Sequence, residues 1–400
     1  MVHFHPFRAY LPELTRGESI EDRVSPPYDV ISDAERKELQ SHKYNVTNIT
    51  LGGVNGDYSQ AGERLQQWIK EDVLVRDRSE CFYLYEQQFV EAGLIHTRFG
   101  LIGALAAEGY SPNGVMPHEE TFSKVKEDRL NLLRGTETHC ESIFGLFDDY
   151  PDDMEKRVLE HAEKLFSFSD TQGVSHTLHR ISEEGMVREI EEMLLQKRIL
   201  IADGHHRYET ACRYAEENAR KRKKGFVLAT LVSMRDRGLV VRPTHRLISG
   251  LKITEAQLLE RLSKDFALSK AKSAEEMLER MAEVEGKLLG LMSRQACYVL
   301  APKREGSTPL QRLDTSVCEE HIIKPIVHGK ENEGAKVAYD HDEESVSERV
   351  RDGEFDYAIM LSPPALDMIW DIATAGGKMP KKSTYFFPKM WSGLVYLRMK

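Results

Sequence analysis

The sequence predicts an α/β (α+β) protein with mixed sheets, on three observations. Short apolar runs of strand composition alternate with amphipathic helical stretches along most of the chain. CFYLYEQQFV and HTRFGLIGALAA read as aromatic and aliphatic strands joined by the turn-like Glu91-Ala92-Gly93. A helical stretch, VREIEEMLLQK, leads into the apolar run Arg198-Ile199-Leu200-Ile201-Ala202, and a second helical pattern starts at once after Asp203-Gly204.

At 400 residues the chain is long enough for two or three packed units, since domains run to roughly 100–200 residues. Four segments can be drawn along it. Residues 1–150 form an N-terminal α/β part with SPPYDV and HEET, and residues 151–250 a core around DGHHRY. Residues 251–340 form a small α/β unit, and residues 341–400 a C-terminal segment that returns to the core. The chain is 40% hydrophobic and 30% charged, an ordinary globular balance. Its net charge of −10 argues against general binding to nucleic acid or anionic membrane, so any phosphate site must be local. No apolar stretch approaches the ~18–20 residues that span a bilayer. MVHFHPFRAYLPEL lacks the pattern of a secretory signal. Cys81, Cys140, Cys212, Cys297 and Cys318 are scattered and form no CxxC pair, which predicts reduced thiols and a cytoplasmic location. Association as a homodimer is left open.

The elements follow in order. Pro26 and Pro27 of SPPYDVIS stiffen an extended stretch, and Ser32 is an N-cap for the helix AERKELQSH. YSQAGERLQQWIKEDVLVRD reads as a helix with Ala61, Leu65, Trp68, Ile69 and Val73 on one face. After the aromatic pair come a Pro/Asn/Gly loop, a charged helix, and a strand at SIFGLF. FVLATLVSM and GLVVRPTHRLI are two further strands. TEAQLLERLSKDF and SAEEMLERMAEVEG each open on a capping box, Thr254 to Gln257 and Ser273 to Glu276, and QACYVLAP closes that unit as a strand. In the tail, the strand YAIMLS precedes the helix PALDMIWDIATAGG, which stops at Gly376-Gly377, and STYFFPKMWSGLVYLRM returns to strand.

The densest chemistry lies at IADGHHRYETA, residues 201–211. A helix N-terminus offers unpaired N–H groups and the positive end of the macrodipole, so it suits an anion. Gly204 lets a phosphate approach the backbone, Arg207 can fork onto its oxygens, and His205 and His206 add donors. Asp203 could cap the helix, orient a histidine or bind magnesium. Successive helical side chains are about 100° apart, so one histidine is expected to pack and the other to face a ligand. The plainer alternative is an Asp N-cap with two incidental histidines. A transition-metal site is a further rival, although adjacent histidines rarely chelate one ion.

Four other stretches carry polar groups in suggestive patterns. In PHEETFSKVKEDR, residues 117–129, Glu119 and Glu120 could hold magnesium or one could deprotonate a hydroxyl. An acidic helix start with a solvated face behind, Glu120, Lys124 and Asp128 in register, explains the same residues. In RPTHRL, residues 242–247, Arg242, Thr244 and Arg246 share one strand face and His245 takes the other, fit for an anion or for a charged edge strand. SPPYDV offers Tyr28 and Asp29 on a rigid loop, and MPKKSTYFFPK offers Lys381, Lys382 and Ser383 just before a strand. RKRKK, residues 220–224, ends the helix that starts at Gly204 and reads as a solvated helix end rather than a nucleic-acid patch.

DGHHRYETA resembles the phosphate box of the ParB/sulfiredoxin superfamily, in which a strand runs into a Gly-His-Arg or Gly-His-His-Arg turn and a helix. SPPYDVIS, HEET…K…DRL, DGHHRYETA, RPTHRL and MPKKSTYFFPK also occur in the order seen in the bacterial domain-of-unknown-function family 1015, which resembles the free-serine kinases. The resemblance implies a ParB/sulfiredoxin-like nucleotide-binding core with additional α/β units. It implies phosphoryl transfer, in either direction, between a nucleotide (ATP or ADP, with Mg2+) and a small hydroxy amino acid, serine or phosphoserine. Under it, Asp203, Gly204, His205, His206, Arg207, Thr244, His245 and Arg246 would hold phosphate or nucleotide. Glu119, Glu120, His206 and Arg207 would be catalytic, with Glu119 and Glu120 as magnesium ligands. Tyr28, Asp29, Arg242, Lys381 and Ser383 would bind the second substrate. A ParB-like regulatory protein without turnover is the rival, and it would need a DNA-reading module that the sequence does not display.

Overall fold

The computed structural model describes the chain except residues 16, 120, 122, 220–224, 285–287 and 400 and the side chains of Ser123 and Lys124. Glu120, the Lys124 side chain and the RKRKK run therefore lie outside the described residues. The protein is a mixed α/β fold in two compact units. One comprises Met1–Pro117, Thr121–Leu239 and Pro388–Lys400, and the other His118–Glu120 and Val240–Phe387.

The first unit is built on a nine-stranded mixed sheet. Its spine is the hairpin Phe82–Glu91 and Leu94–Ala106, whose register closes at Glu91 opposite Leu94. Ala92 and Gly93 make the two-residue turn with φ of 48° and 75°, the doubly left-handed geometry that matches strand twist. Phe226–Ser233 pairs antiparallel with Leu94–Ala106 and parallel with Ile143–Phe147. Ile199–Asp203 follows, antiparallel to Ile143–Phe147 and parallel to Val115–Met116. Strands from either side of residue 150 thus share one sheet. Its core joins Leu84, Leu101, Ile143, Ile199 and Leu231 with Ile190 and Leu194 of the helix Glu184–Leu195.

The second unit carries a six-stranded antiparallel sheet, in the order Phe266–Ala271, Cys297–Pro302, Leu289–Ser293, Tyr357–Met360, His245–Ser249, Lys336–Asp340. Alternating residues face two cores, as the period of two in a strand requires. Ile248, Leu291 and Ile359 pack with Ile322 and Ile326, whereas Leu247, Met292 and Ala358 pack with Met277, Met281 and Val346.

Local signals account for several boundaries. Ser32 caps Asp33–Ser41 through a reciprocal box with Glu35, and Thr254 does the same with Gln257. Ser273 caps Ala274–Ala282, but the Glu276 carboxylate accepts from Lys272 N–H, so that box is offset by one residue. The helix expected to reach Val73 ends at Lys70, because Asp72 takes a φ of 56° and Leu74–Arg76 becomes a strand. GLVVRPTHRLI, expected as one strand, is two: Val240–Arg242 pairs with Tyr385–Phe387, and His245–Ser249 joins the six-stranded sheet. Pro243 lies at the break and has no N–H for a ladder. Arg242, Thr244 and Arg246 therefore do not share the face of one strand.

Candidate functional site

The strand Ile199–Asp203 is buried from Ile199 to Ala202, which fixes where the turn after it emerges. Its register slips between Ile201 and Asp203, a bulge of the kind that re-aims a strand-end side chain. Gly204 then takes a φ of 92° and serves as N-cap of the helix His205–Asn218, which no side chain caps. A Cβ at this position would lie 3.0 Å from Arg207 Nη2 and 3.0 Å from Ile143 Cγ2. The left-handed conformation favours glycine here, and the space beside it is tight.

Charged groups converge on the turn. Asp203 Oδ1 accepts from Gly204 N–H at 3.0 Å, and Oδ2 accepts from Lys389 Nζ at 3.3 Å and faces Arg207 Nη2 at 3.8 Å. Burial pushes the Asp203 carboxyl up, but Lys389, Arg207 and His205 outweigh it and hold it well below the usual carboxylate range. Arg207 donates from Nη1 to the Ser142 carbonyl. Burial works against its charge, yet Asp203, Glu141 and Asp29 raise its pKa, so the guanidinium stays charged. Lys389 comes from the far end of the chain. Its segment is held by Gln87 Nε2, which donates to the Lys389 carbonyl at 3.0 Å, and by buried Arg98, which donates to the Pro388 carbonyl.

A second layer surrounds Arg207. Glu141, buried, faces Arg129 Nη1 at 3.6 Å and accepts from Tyr28 N–H at 3.4 Å. The Arg129 guanidinium lies 4.3 Å from the Tyr28 ring centroid and donates to Tyr58 Oη at 2.8 Å and Asp128 Oδ2 at 2.6 Å. Burial, reinforced by Asp29, raises the Tyr28 hydroxyl so that it stays protonated. Asp29 is exposed. His205 is buried, whereas His206 is half-buried and is kept neutral-leaning by burial against the pull of Glu209 and Asp29. One turn on, Glu209 accepts from Lys126 Nζ and Thr121 Oγ1, each at 2.8 Å.

Of the residues singled out from the sequence, Tyr28, Asp29, Asp203, Gly204, His205, His206 and Arg207 lie in the first unit. Glu119, Arg242, Thr244, His245, Arg246, Lys381 and Ser383 lie in the second. There His118–Glu119 and the C-terminal motif are joined: Met379 N–H donates to the His118 carbonyl at 2.7 Å, Glu119 bridges to Met379, and His118 Nε2 is 3.0 Å from Thr384 Oγ1. Arg242 stacks on the Phe387 ring at 3.5 Å, and Arg246 is buried 5.2 Å from the Tyr339 ring centroid. His245 Nδ1 accepts from Leu361 N–H at 3.1 Å, and burial lowers its pKa to about 4. Ser383 is fully buried, donating to the Pro380 carbonyl at 2.6 Å and sharing a hydrogen bond with Thr315.

Sequence reasoning missed Lys389 and Glu141 and passed over Arg129. Lys389 ends the quoted MPKKSTYFFPK, and its proximity to Asp203 is a long-range fact with no local signal. Among the described residues no group of three or more His, Cys, Asp or Glu is placed to hold a metal ion. None of their helices is long and apolar enough to cross a membrane.

The chain aligns with several solved structures, each at a low TM-score. A conserved hypothetical protein from Pyrococcus furiosus is 15% identical, with 73% of this chain and 92% of that chain covered and a TM-score of 0.38. A free serine kinase in complex with AMP is 15% identical, covering 72% of this chain and 86% of that chain, with a TM-score of 0.39. A C-terminally truncated SbnI from Staphylococcus aureus is 9% identical, covering 73% and 85%, with a TM-score of 0.35. At such scores the likeness carries no argument about the reaction. No curated protein matches the chain. The profile described as "Protein of unknown function (DUF1015)" matches residues 4–316, and the chain belongs to that family.

Proposed function

We propose that the protein is a phosphoryl-transfer enzyme that holds nucleotide phosphates at the Gly204 turn and acts on a small hydroxy amino acid, serine or its phosphate ester. The observation that carries this reading is the uncapped start of His205–Asn218 behind a left-handed Gly204, flanked by Arg207 and Lys389. Backbone donors and the helix dipole favour a phosphate at such a start. Arg207 would fork onto its oxygens and Lys389 would act as a point charge, easing away from Asp203 as the anion arrives. Electrostatic stabilisation of this kind supplies most of what phosphoryl transfer asks of a protein.

The other roles rest on sequence resemblance. His206 would join the phosphate contacts, whereas Thr244, His245 and Arg246, which the resemblance also names, lie buried in the second unit. Glu119 or Glu120 would deprotonate the hydroxyl or help to hold magnesium. Magnesium binds through one or two carboxylates together with substrate phosphates, so a site of this kind needs no cluster of protein ligands. When bound, the ion would neutralise charge on the transferring group. Tyr28 and Asp29 would bind the acceptor, whereas Arg242, Lys381 and Ser383, which the resemblance also names, lie in the second unit, with Ser383 fully buried and its hydroxyl engaged.

Phosphorus NMR of the purified protein with magnesium tests the reading, offering L-serine with ATP or ADP, and separately O-phosphoserine. Phosphoserine formed from serine, and lost in Arg207→Ala and Lys389→Ala, is the expected result. Free phosphate from phosphoserine, lost in the same variants, would assign the hydrolytic direction. Absence of both reactions would sink the enzyme reading.

A further inference from the structure

The second unit contains a cavity of about 1140 Å³ lined by residues of 264–266, 302–307, 316–324 and 378–381 and by Tyr339. That volume is somewhat above the roughly 300–1,000 Å³ usual for small-molecule sites, and the cavity is partly open to solvent. Its walls carry Lys264, Lys303, Arg304, Lys324, Lys378 and Lys381 against four carboxylates, a cationic excess in a protein whose net charge is −10. Two of the four carboxylates are already engaged: Glu320 by Lys324, and Asp265 by His321 at 3.6 Å. Lys303 is spent on the Ser263 carbonyl. Among the described residues, Lys264, Arg304 and Lys378 form no ion pair.

A buried polar group also points to a ligand. Ser316 lines the cavity and is only 8% exposed, and its hydroxyl has no hydrogen-bond partner among the described residues. Buried hydroxyls are nearly always paired, and an orphan needs a reason. The same wall includes Glu319 to Lys324 of a nine-residue π-helix, Glu319–Val327. That geometry is rare and concentrates at functional sites. Tyr339 adds an aromatic face.

We propose that this cavity is an anion site for a phosphorylated small molecule, formed wholly by the second unit and additional to the Gly204 turn. The unpaired cations meet the phosphate oxygens, Ser316 donates to one of them, and Tyr339 covers the organic part. The site does not depend on the reaction proposed above.

Calorimetric titration of the full chain with inorganic pyrophosphate at fixed ionic strength tests it. The proposal predicts a binding event that Lys264→Glu combined with Arg304→Glu weakens about tenfold or more, and that Arg207→Ala leaves in place. Both charged side chains are exposed, so the double variant should keep its thermal midpoint. Ser316→Ala should weaken the same event by a few-fold without lowering stability, because it removes an unpaired hydroxyl. If pyrophosphate binds with the same affinity and stoichiometry in the double variant as in the wild type, or does not bind outside the event lost in Arg207→Ala, the proposal is overturned. An event lost in the double variant and retained in Arg207→Ala upholds this site, and the absence of any further event sensitive to Arg207→Ala would count separately against the Gly204 reading.

Discussion

Asp203 and Asp314 are carboxyls whose surroundings drive them in opposite directions. Around Asp203, Lys389 and Arg207 overcome burial and keep the carboxylate ionised. Asp314 is 6% exposed, and burial raises its pKa to about 6 against the hydrogen bond from Ser362 N–H at 3.0 Å. Its folded value lies above the ~3.9 of an unfolded aspartate. The unfolded state therefore releases its proton first as pH rises. The stability Asp314 contributes is complete below about pH 4 and is lost as pH rises through about 6. Asp314→Asn does not titrate, so relative to wild type it should gain on the order of 2 kcal/mol between about pH 4 and pH 7. Denaturant unfolding at both pH values checks this, and a pH-independent difference would contradict it. Only Asp203 could be singled out from sequence, because it sits in a motif. Asp314 acquires its character from burial in a packed interior that brings Ser362, about fifty positions away, beside it, and Lys389 from Asp203 about 190 positions away, and no local pattern reports such neighbours.

At the scale of elements, the strand–glycine–helix unit at 199–218 depends on one backbone conformation. Alanine at Gly204 would have to hold a φ of 92° and place its Cβ 3.0 Å from Arg207 and Ile143. The left-handed conformation alone costs an L-residue about 1–2 kcal/mol. Gly204→Ala should lower unfolding stability by about that amount and displace Arg207, weakening nucleotide binding about tenfold or more. Urea unfolding with calorimetric titration measures both, and a variant unchanged in both would contradict the turn's assigned role. This unit was legible in sequence because an apolar run, Asp-Gly and a helical period occur consecutively. The aromatic hairpin at 82–106 was legible for a similar reason, since strand composition brackets Ala92-Gly93. GLVVRPTHRLI was misread because its apolar residues run through Pro243, while the ladder cannot. The hairpin of Glu163–Ser169 and Ser175–Ile181 went unassigned. Its strands are half exposed and polar, which weakens the alternation on which such a reading depends.

For the molecule as a whole, the family's ordered motifs sort into two sets. SPPYDV, the DRL of residues 128–130, DGHHRYETA and Lys389 belong to the first unit. His118–Glu119, RPTHRL and MPKKSTYFF belong to the second, drawn together by His118–Thr384, by the bridge from Glu119 to Met379, and by the pairing of Val240–Arg242 with Tyr385–Phe387. The chain order was readable, but this sorting was not, because it depends on the returns at 118–120 and 388–400. Hydrogen–deuterium exchange with and without ADP and magnesium tests the central claim most directly, since backbone N–H groups of the turn are the proposed phosphate donors. The account predicts slowed exchange in peptides spanning residues 203–208, lost in Arg207→Ala. ADP binding that leaves those amides unchanged while protecting others would contradict it.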